Sequence, residues 1–179
     1  MPEEYAKLAS TFERFGRVEC AGHGLIYEPL CYAIAADPDL LEIVSHRQPG
    51  QPAPNIIFAA VHYLLLKGLK HPLAQYYRSL NPALPPDDNP APAFRDFCLK
   101  YREQLISLIS TGLVQTNEAR RSGIFYPAFG LVWERGGRKP LAMLEIGSSA
   151  GLNLLWDKYG YHYRELVGGD TTSELQISI

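Results

Sequence analysis

The sequence has few of the residues that mark disulfide-rich, metal-binding or membrane proteins. Its three cysteines, Cys20, Cys31 and Cys98, include no Cys-x-x-Cys pair, so neither a disulfide framework nor a zinc site is predicted. The five histidines show no His-x-x-x-His spacing, and we expect no metal centre. The longest apolar run, residues 56–66, is interrupted by His62 and is too short to cross a bilayer.

An excess of positive charge is also lacking. The 179 residues include 17 Lys and Arg against 19 Asp and Glu, which gives a formal net charge of −2. Because affinity for nucleic acids and anionic membranes depends largely on positive charge, we expect neither as a partner. The first four residues, Met1 to Glu4, are not an apolar run like that of a signal peptide. The composition favours a globular cytoplasmic protein with reduced cysteines.

Most of the chain has the hydrophobic spacing of helices. Apolar residues recur every three or four positions from Glu3 to Phe15, which predicts a helix that ends at Gly16. Further helices are predicted at residues 25–36, from the Asp37-Pro38 cap onward, and at 55–69, 94–113 and 118–135. Pro127 and Gly130 predict a kink or break in the last of these. Proline-rich segments at 47–54 and 81–92 predict loops.

The sequence pattern changes after Lys139. Residues 140–146 are a short apolar run behind a proline, a Gly/Ser turn follows at 147–151, and helical spacing resumes at Leu152. This order predicts a strand, a tight turn and a helix. We therefore expect a mostly helical N-terminal region at 1–138. The first strand, helix and second strand of a Rossmann-like α/β unit are expected at 139–179.

The turn at residues 147–151 is the first candidate site. A helix that begins directly after a buried strand directs its free N–H groups at a crevice where α/β proteins bind nucleotides. Gly147 would permit the sharp reversal, and Gly151 would permit close packing of the helix on the strand. Ser148 or Ser149 could offer hydroxyl groups to a small-molecule ligand. A purely structural turn explains the small residues equally well.

The turn resembles the first motif of the class I methyltransferases that use S-adenosylmethionine. That motif has an acidic residue, one spacer and glycines at alternate positions, which Glu145, Gly147 and Gly151 match. Ser149 replaces the middle glycine, and it requires either a different backbone angle or space that the ligand would use. The residues that the resemblance implies for S-adenosylmethionine binding are Glu145, Gly147, Ser148, Ser149, Gly151 and Asn153.

A polar cluster at residues 115–121 is the second candidate site. Thr116 or Asn117 could cap the following helix, and Glu118 and Arg121 have the spacing of an ion pair at a solvated helix start. In the functional alternative, the cluster lines a pocket opposite the glycine turn and binds a polar substrate. The residues predicted to do so are Gln115, Asn117, Glu118 and Arg121.

Four segments together resemble the bacterial domain-of-unknown-function family numbered 2332. They are residues 55–66, 115–121, 144–154 and 156–159, so the resemblance covers nearly the whole chain. The family has no established activity. The resemblance implies a longer protein, in which a helical region precedes a methyltransferase-like α/β region that begins at the Leu144 strand.

The α/β unit predicted here is incomplete. Only 28 residues follow Gly151, whereas each further parallel strand needs a crossover of roughly a dozen residues. The alternation of tyrosines at 159–163 and of apolar residues at 175–179 predicts a hairpin or a second strand, with a turn at 168–170. We therefore expect the N-terminal part of a methyltransferase-like enzyme, inactive alone if truncated and without an assigned catalytic residue. The alternative is a non-catalytic helical module that binds a protein or forms a homodimer through its exposed sheet edge.

Overall fold

The computed structural model describes residues 3–22, 26–83, 89–115 and 118–179. The chain divides into two compact units, Met1–Val114 and Gln115–Ile179. We call them the N-terminal unit and the C-terminal unit. This boundary precedes the last long helix, whereas the sequence predicts a boundary after that helix, at residue 138.

The N-terminal unit is built from helices. Its α-helices are α1 (Glu3–Phe15), α2 (Tyr27–Ala36), α3 (Pro38–Ser45), α4 (Ala53–Leu66), α5 (Ala91–Lys100) and α6 (Arg102–Thr111). A π-helix, Gly16–Cys20, follows α1, and a 3-10 helix occupies Pro72–Tyr76. The predicted bounds of α1 are confirmed. Gly16 does not end the helical conformation, however, because it begins the π-helix.

Helix α4 lies at the centre of the N-terminal core. Its apolar residues occur on nearly every side, and most of them are buried, as the sequence predicts. The ring of Phe58 contacts Phe12 of α1 and Phe94 of α5, with centroid distances of 6.4 and 6.0 Å. Tyr27 of α2 lies 4.9 Å from the same ring. Helices from both ends of the unit therefore pack on α4.

The predicted cap at Asp37 begins α3. The Asp37 carboxylate accepts hydrogen bonds from the backbone N–H groups of Asp39 and Leu40 at 2.9 and 3.4 Å, and Pro38 occupies the first helical position. Arg95 of α5 donates to the same carboxylate at 2.6 Å. The cap thus also links the start of α3 to α5.

The single helix predicted at 94–113 is two helices. Tyr101 separates α5 from α6 with φ −110° and ψ 27°, which lies outside the helical region. Helix α5 begins at Ala91, inside the predicted proline-rich loop, because Pro92 lies in its first turn, where no backbone donor is needed. Residues 84–88 of that predicted loop lie outside the described residues.

The C-terminal unit combines one long helix with a small sheet. A 3-10 helix, Ala119–Arg121, leads into α7 (Ser122–Arg135), which continues without interruption through Pro127 and Gly130. A second 3-10 helix occupies Leu152–Lys158. The strands are β1 (Gly160–Tyr163), β2 (Leu166–Gly169) and β3 (Gln176–Ser178), in the order β2-β1-β3. Strand β1 pairs antiparallel with β2 and parallel with β3.

The register of the sheet follows the predicted alternation of tyrosines. Tyr161 lies opposite Gly168 of β2 and Ile177 of β3, and its side chain is fully buried. The strands predicted from the alternation at 159–163 and at 175–179 are therefore confirmed. The turn predicted at 168–170 is wrong for Gly168 and Gly169, which belong to β2, because the chain already turns at Arg164, where φ is 51°.

At the start of the expected α/β unit the predicted strand is wrong, and the predicted helix is confirmed only as a short 3-10 helix. Residues 140–146 form no strand, and the segment after Gly151 is a seven-residue 3-10 helix with a kink at Leu155. A strand needs a hydrogen-bonded neighbour, and the three strands of the described sheet pair only with one another. Leu144 and Ile146, which a strand would bury, are 88% and 93% exposed. Over the described residues, the chain is mostly helical and ends in a small mixed sheet.

Candidate functional site

The turn at 147–151 contains left-handed residues at alternate positions. Gly147, Ser149 and Gly151 have φ angles of 73°, 51° and 72°, whereas Ser148 and Ala150 between them do not have positive φ. The N–H of Gly151 donates to the carbonyl of Ser148 at 2.7 Å. The chain therefore reverses within these few residues, as the sequence predicts, although no strand precedes the reversal.

Ser149 adopts the backbone angle of a glycine. Its φ of 51° matches that of the two flanking glycines in sign, and its side chain is exposed. The left-handed region costs an L-residue about 1–2 kcal/mol because Cβ approaches the following carbonyl. Ser149 thus adopts the same left-handed angle as Gly147 and Gly151, at the expense of backbone strain.

Gly151 does not have the close-packing role predicted for it. A Cβ atom at Gly151 would have no heavy atom of the described residues within 4 Å, and the same holds at Gly147. Both positions require glycine because of their positive φ angles, which residues with a side chain disfavour even where the surrounding space is open.

A hydrogen bond closes the turn. The side-chain N–H of Asn153 donates to Oε1 of Glu145 at 2.9 Å. This bond joins the residue two positions before the turn to the residue two positions after it. Asn153 is 8% exposed. The second carboxylate oxygen, Oε2 of Glu145, is buried and has no hydrogen-bond partner among the described residues. Such an oxygen retains an unused capacity to accept a hydrogen bond.

A cleft of about 910 Å³ is lined in part by residues on either side of this turn in the chain. The lining includes Met143, two residues before Glu145, and Leu154, the residue directly after Asn153. Helix α7 contributes further lining residues at spacings of three or four, which place them on one helical face. Those residues are Tyr126, Pro127, Gly130, Leu131, Trp133 and Glu134. The six residues predicted to hold the cofactor are not among the lining residues.

The cleft is rich in aromatic rings. Trp156 lies with its ring centroid 6.0 Å from that of Tyr126 and 5.1 Å from that of Phe129. Trp133 lines the cleft from α7, so that both tryptophans of the chain face it. Sequence reasoning missed this site. The available signal was the spacing of Tyr126, Gly130 and Trp133 on one face of a helix.

The cleft also contains two carboxylates. Glu134 and Asp157 belong to the lining, which includes no Lys or Arg among the described residues. Asp157 forms an ion pair with Lys158 at 3.0 Å, in which both side chains are largely exposed, so the pair is strongly screened by solvent. Aromatic faces next to negative charge suit a ligand with a flat ring and a positive charge.

Three of the four residues predicted to bind a substrate are described, and these three do not line the cleft. Gln115, Glu118 and Arg121 are exposed, and Asn117 lies outside the described residues. The Glu118 carboxylate accepts a hydrogen bond from the N–H of Arg120 at 3.2 Å and caps the 3-10 helix. This capping contact supports the alternative that the cluster is a solvated helix start. The substrate-binding role stays a prediction.

The described residues include no group of three or more His, Cys, Asp or Glu that could hold a metal ion. The thiols of Cys20, Cys31 and Cys98 are free and buried. Burial raises the pKa of Cys31 to about 12, which keeps that thiol protonated near neutral pH. In the part of the chain that the structure describes, no helix has the length and apolarity that crossing a membrane requires.

The family model of DUF2332, described as an uncharacterized protein conserved in bacteria, matches residues 9–179. The chain belongs to this family. The resemblance inferred from the four sequence segments is thereby confirmed. Comparisons of this DUF2332 protein with curated proteins and with solved structures find no match. The matched residues include both the turn and the cleft.

Proposed function

We propose that this DUF2332 protein binds S-adenosylmethionine in its C-terminal unit and belongs to a methyltransferase-like enzyme. The observation that carries the proposal is that residues on both sides of the turn line the cleft. Met143 and Leu154 line the cleft, and they adjoin the hydrogen-bonded pair Glu145 and Asn153 that closes the turn. A ligand in the cleft would therefore contact residues that flank the turn, which resembles the first motif of the class I methyltransferases.

The chemistry of the cleft supports such a ligand. S-adenosylmethionine carries an adenine ring, which could stack on Trp133 or Trp156. It also carries positive charge on its sulfonium and ammonium groups, which the carboxylates of Glu134 and Asp157 would attract. When bound, it would supply an electrophilic methyl group.

The proposal does not depend on a helix dipole. The 3-10 helix that follows the turn, Leu152–Lys158, has only seven residues and a kink at Leu155, so few of its peptide dipoles align. Alternating left-handed residues can instead direct successive backbone N–H groups into a shared concavity. The carboxylate of S-adenosylmethionine is the group that such N–H groups would bind.

Titration calorimetry with S-adenosylmethionine and S-adenosylhomocysteine tests the proposal. We expect saturable binding, at least about tenfold weaker in Gly147→Val, because a β-branched residue resists the left-handed angle. Gly68→Val in the N-terminal unit is the matched control, since Gly68 also has positive φ and open space around it. Absence of binding by the unmodified chain, or equal effects of the two variants, would contradict the proposal.

A partner-binding module is the second candidate function. Leu144 and Ile146 are 88% and 93% exposed, and neighbouring exposed apolar residues commonly mark interaction sites. The outer strands β2 and β3 also leave two sheet edges, which can pair with another chain. Light scattering coupled to size exclusion measures self-association. A dimer that Leu144→Lys dissociates would favour this candidate, and a monomer over the whole concentration range would exclude the homodimer.

A further inference from the structure

We propose that the cleft of the C-terminal unit is a binding site for an organic cation, namely an ammonium or sulfonium group on an apolar or aromatic body. This inference goes beyond methyl transfer, because it concerns the charge that the cleft selects. Two sources share this chemistry: S-adenosylmethionine itself and a separate amine compound. The experiment below distinguishes them.

The chain already holds a cation of its own over a ring of the cleft. The guanidinium carbon of Arg138 lies 5.5 Å from the ring centroid of Trp133, within the distance of about 6 Å that defines a cation–π contact. Arg138 adopts φ 61°, and its backbone N–H donates to the carbonyl of Trp133 at 2.8 Å. The turn after α7 thus brings Arg138 back onto the indole ring. Arg138 is not among the residues that line the cleft, so the contact shows that the indole ring of Trp133 holds a cation within the cation–π distance.

The two carboxylates in the lining of the cleft favour positive ligands. Glu134 is one residue from Trp133 on α7, and Asp157 follows Trp156, so each lining tryptophan has a neighbouring carboxylate in the lining. Lys158 pairs with Asp157 at an exposed site, so the charge of Asp157 is partly compensated. We therefore assign the selection of charge mainly to Glu134.

The aromatic wall of the cleft is held in place before any ligand binds. The hydroxyl of Tyr126 accepts a hydrogen bond from the N–H of Gly169 at 2.8 Å, and its ring stacks on Tyr161 at 4.6 Å. The ring of Trp156 contacts the rings of Tyr126 and of Phe129. Preorganised rings reduce the ordering cost of binding. The volume of about 910 Å³ is that of a site for a whole metabolite rather than for a bare ion.

Intrinsic fluorescence reports on this cleft specifically, because both tryptophans of the chain line it. We would titrate the intact chain with choline and with 3,3-dimethyl-1-butanol, which has the same shape without the charge. We expect saturable quenching by choline and at least about tenfold weaker binding of the neutral alcohol. Equal affinity for the two compounds, or no response to choline, would overturn the proposal.

Two substitutions locate the site. Gly130→Leu is expected to abolish choline binding, because a Cβ atom at Gly130 meets no described heavy atom within 4 Å and the side chain would enter the cleft. Leucine also favours the helix over glycine, so folding is preserved. Ala128→Leu is the matched control, since Ala128 is exposed on α7 and does not line the cleft. Equal effects of the two variants would refute the assignment.

Further substitutions test the contribution of charge to choline binding. Glu134→Gln should weaken choline binding about threefold or more, whereas Glu165→Gln, an exposed carboxylate outside the cleft, should leave it unchanged. If Glu134→Gln behaved like Glu165→Gln, the proposed charge selection would be wrong.

Competition between ligands identifies the source of the cation. Choline that displaces S-adenosylmethionine supports the cofactor as the occupant, and choline that binds together with it supports a separate amine compound. Failure of the two proposals is distinguishable. Choline binding without any S-adenosylmethionine binding would reject the proposed function alone, and S-adenosylmethionine binding without preference for choline over the neutral alcohol would reject the cation site alone.

Discussion

The hydroxyl of Tyr163 donates a hydrogen bond to the carbonyl oxygen of Gly123 at 2.5 Å. In a regular α-helix that oxygen would accept the N–H of residue 127, but residue 127 is proline and has no N–H. Strand β1 therefore supplies the donor that α7 lacks. Helix and sheet are joined at the position where the sequence predicts a break.

This contact makes the effect of Tyr163→Phe depend on residue 127. We expect Tyr163→Phe to lower the free energy of unfolding of the C-terminal unit by about 1–2 kcal/mol, since it leaves the Gly123 carbonyl without a donor. In a Pro127→Ala background the loss should be smaller, because alanine at this position would donate its own backbone N–H to the Gly123 carbonyl. Urea denaturation followed by tryptophan fluorescence measures this unit, which contains both tryptophans.

The control for this cycle is Tyr32→Phe. Tyr32 is 42% exposed, so loss of its hydroxyl should change stability by less than about 0.5 kcal/mol. If Tyr163→Phe had the same effect with proline and with alanine at position 127, the coupling between the two residues would be refuted.

The left-handed turn predicts opposite effects at neighbouring positions. Ser149→Gly should stabilise the C-terminal unit by roughly 0.5–1 kcal/mol, because it relieves a side chain at φ 51°. Gly147→Ala should destabilise it by about 1 kcal/mol, since the surrounding space is open and only the backbone angle opposes the methyl group. Ala150→Gly, at a position without positive φ, should not stabilise. Thermal or urea unfolding that ranks Ser149→Gly below Ala150→Gly would contradict this account.

The stability of the N-terminal unit should depend on pH through His62. Its ring stacks on Tyr77 at 4.7 Å and shares a hydrogen bond of 2.7 Å with Ser79, and burial lowers its pKa. The folded state therefore prefers the neutral ring. The resulting stabilisation is complete above the unfolded pKa of about 6.5 and is lost as pH falls through the lower folded pKa.

We expect the free energy of unfolding of this unit to decrease as pH falls below about 6.5, and His62→Gln to flatten that decrease. Urea denaturation followed by far-UV circular dichroism at several pH values measures it. Since α1 to α6 lie in this unit and α7 lies in the other, the helical signal reports mainly on the N-terminal unit. An unchanged slope in His62→Gln would show that another group is responsible.

The buried thiols should resist alkylation in the native chain. Burial raises the pKa of Cys20 and of Cys98, and raises that of Cys31 to about 12, and the thiolate is the reactive form. We expect iodoacetamide at neutral pH to label none of the three cysteines to a significant extent until urea unfolds the chain. Mass spectrometry after timed alkylation measures this. Rapid native labelling of Cys98 would show that the core around it opens.

Local patterns in the sequence predicted much of the N-terminal unit. The apolar spacing of Glu3 to Phe15 and the cap at Asp37 depend only on nearby residues, and both occur as predicted. The same holds for the alternating tyrosines of β1, since each side of a strand repeats every two residues. The break at Tyr101 could not be foreseen, because the apolar spacing continues across it.

The sequence by itself determined where helices and tyrosine-bearing strands form, and that the chain reverses near Gly147, because these features arise from the preferences of a few adjacent residues. Only the tertiary structure decided which segments found partners. Residues 140–146 have the apolar content of a strand but no neighbour to bond with among the described strands. Trp133 and Trp156 form one cleft although more than twenty residues separate them in the chain. Pairing and cleft formation depend on contacts between distant residues, which no local pattern encodes.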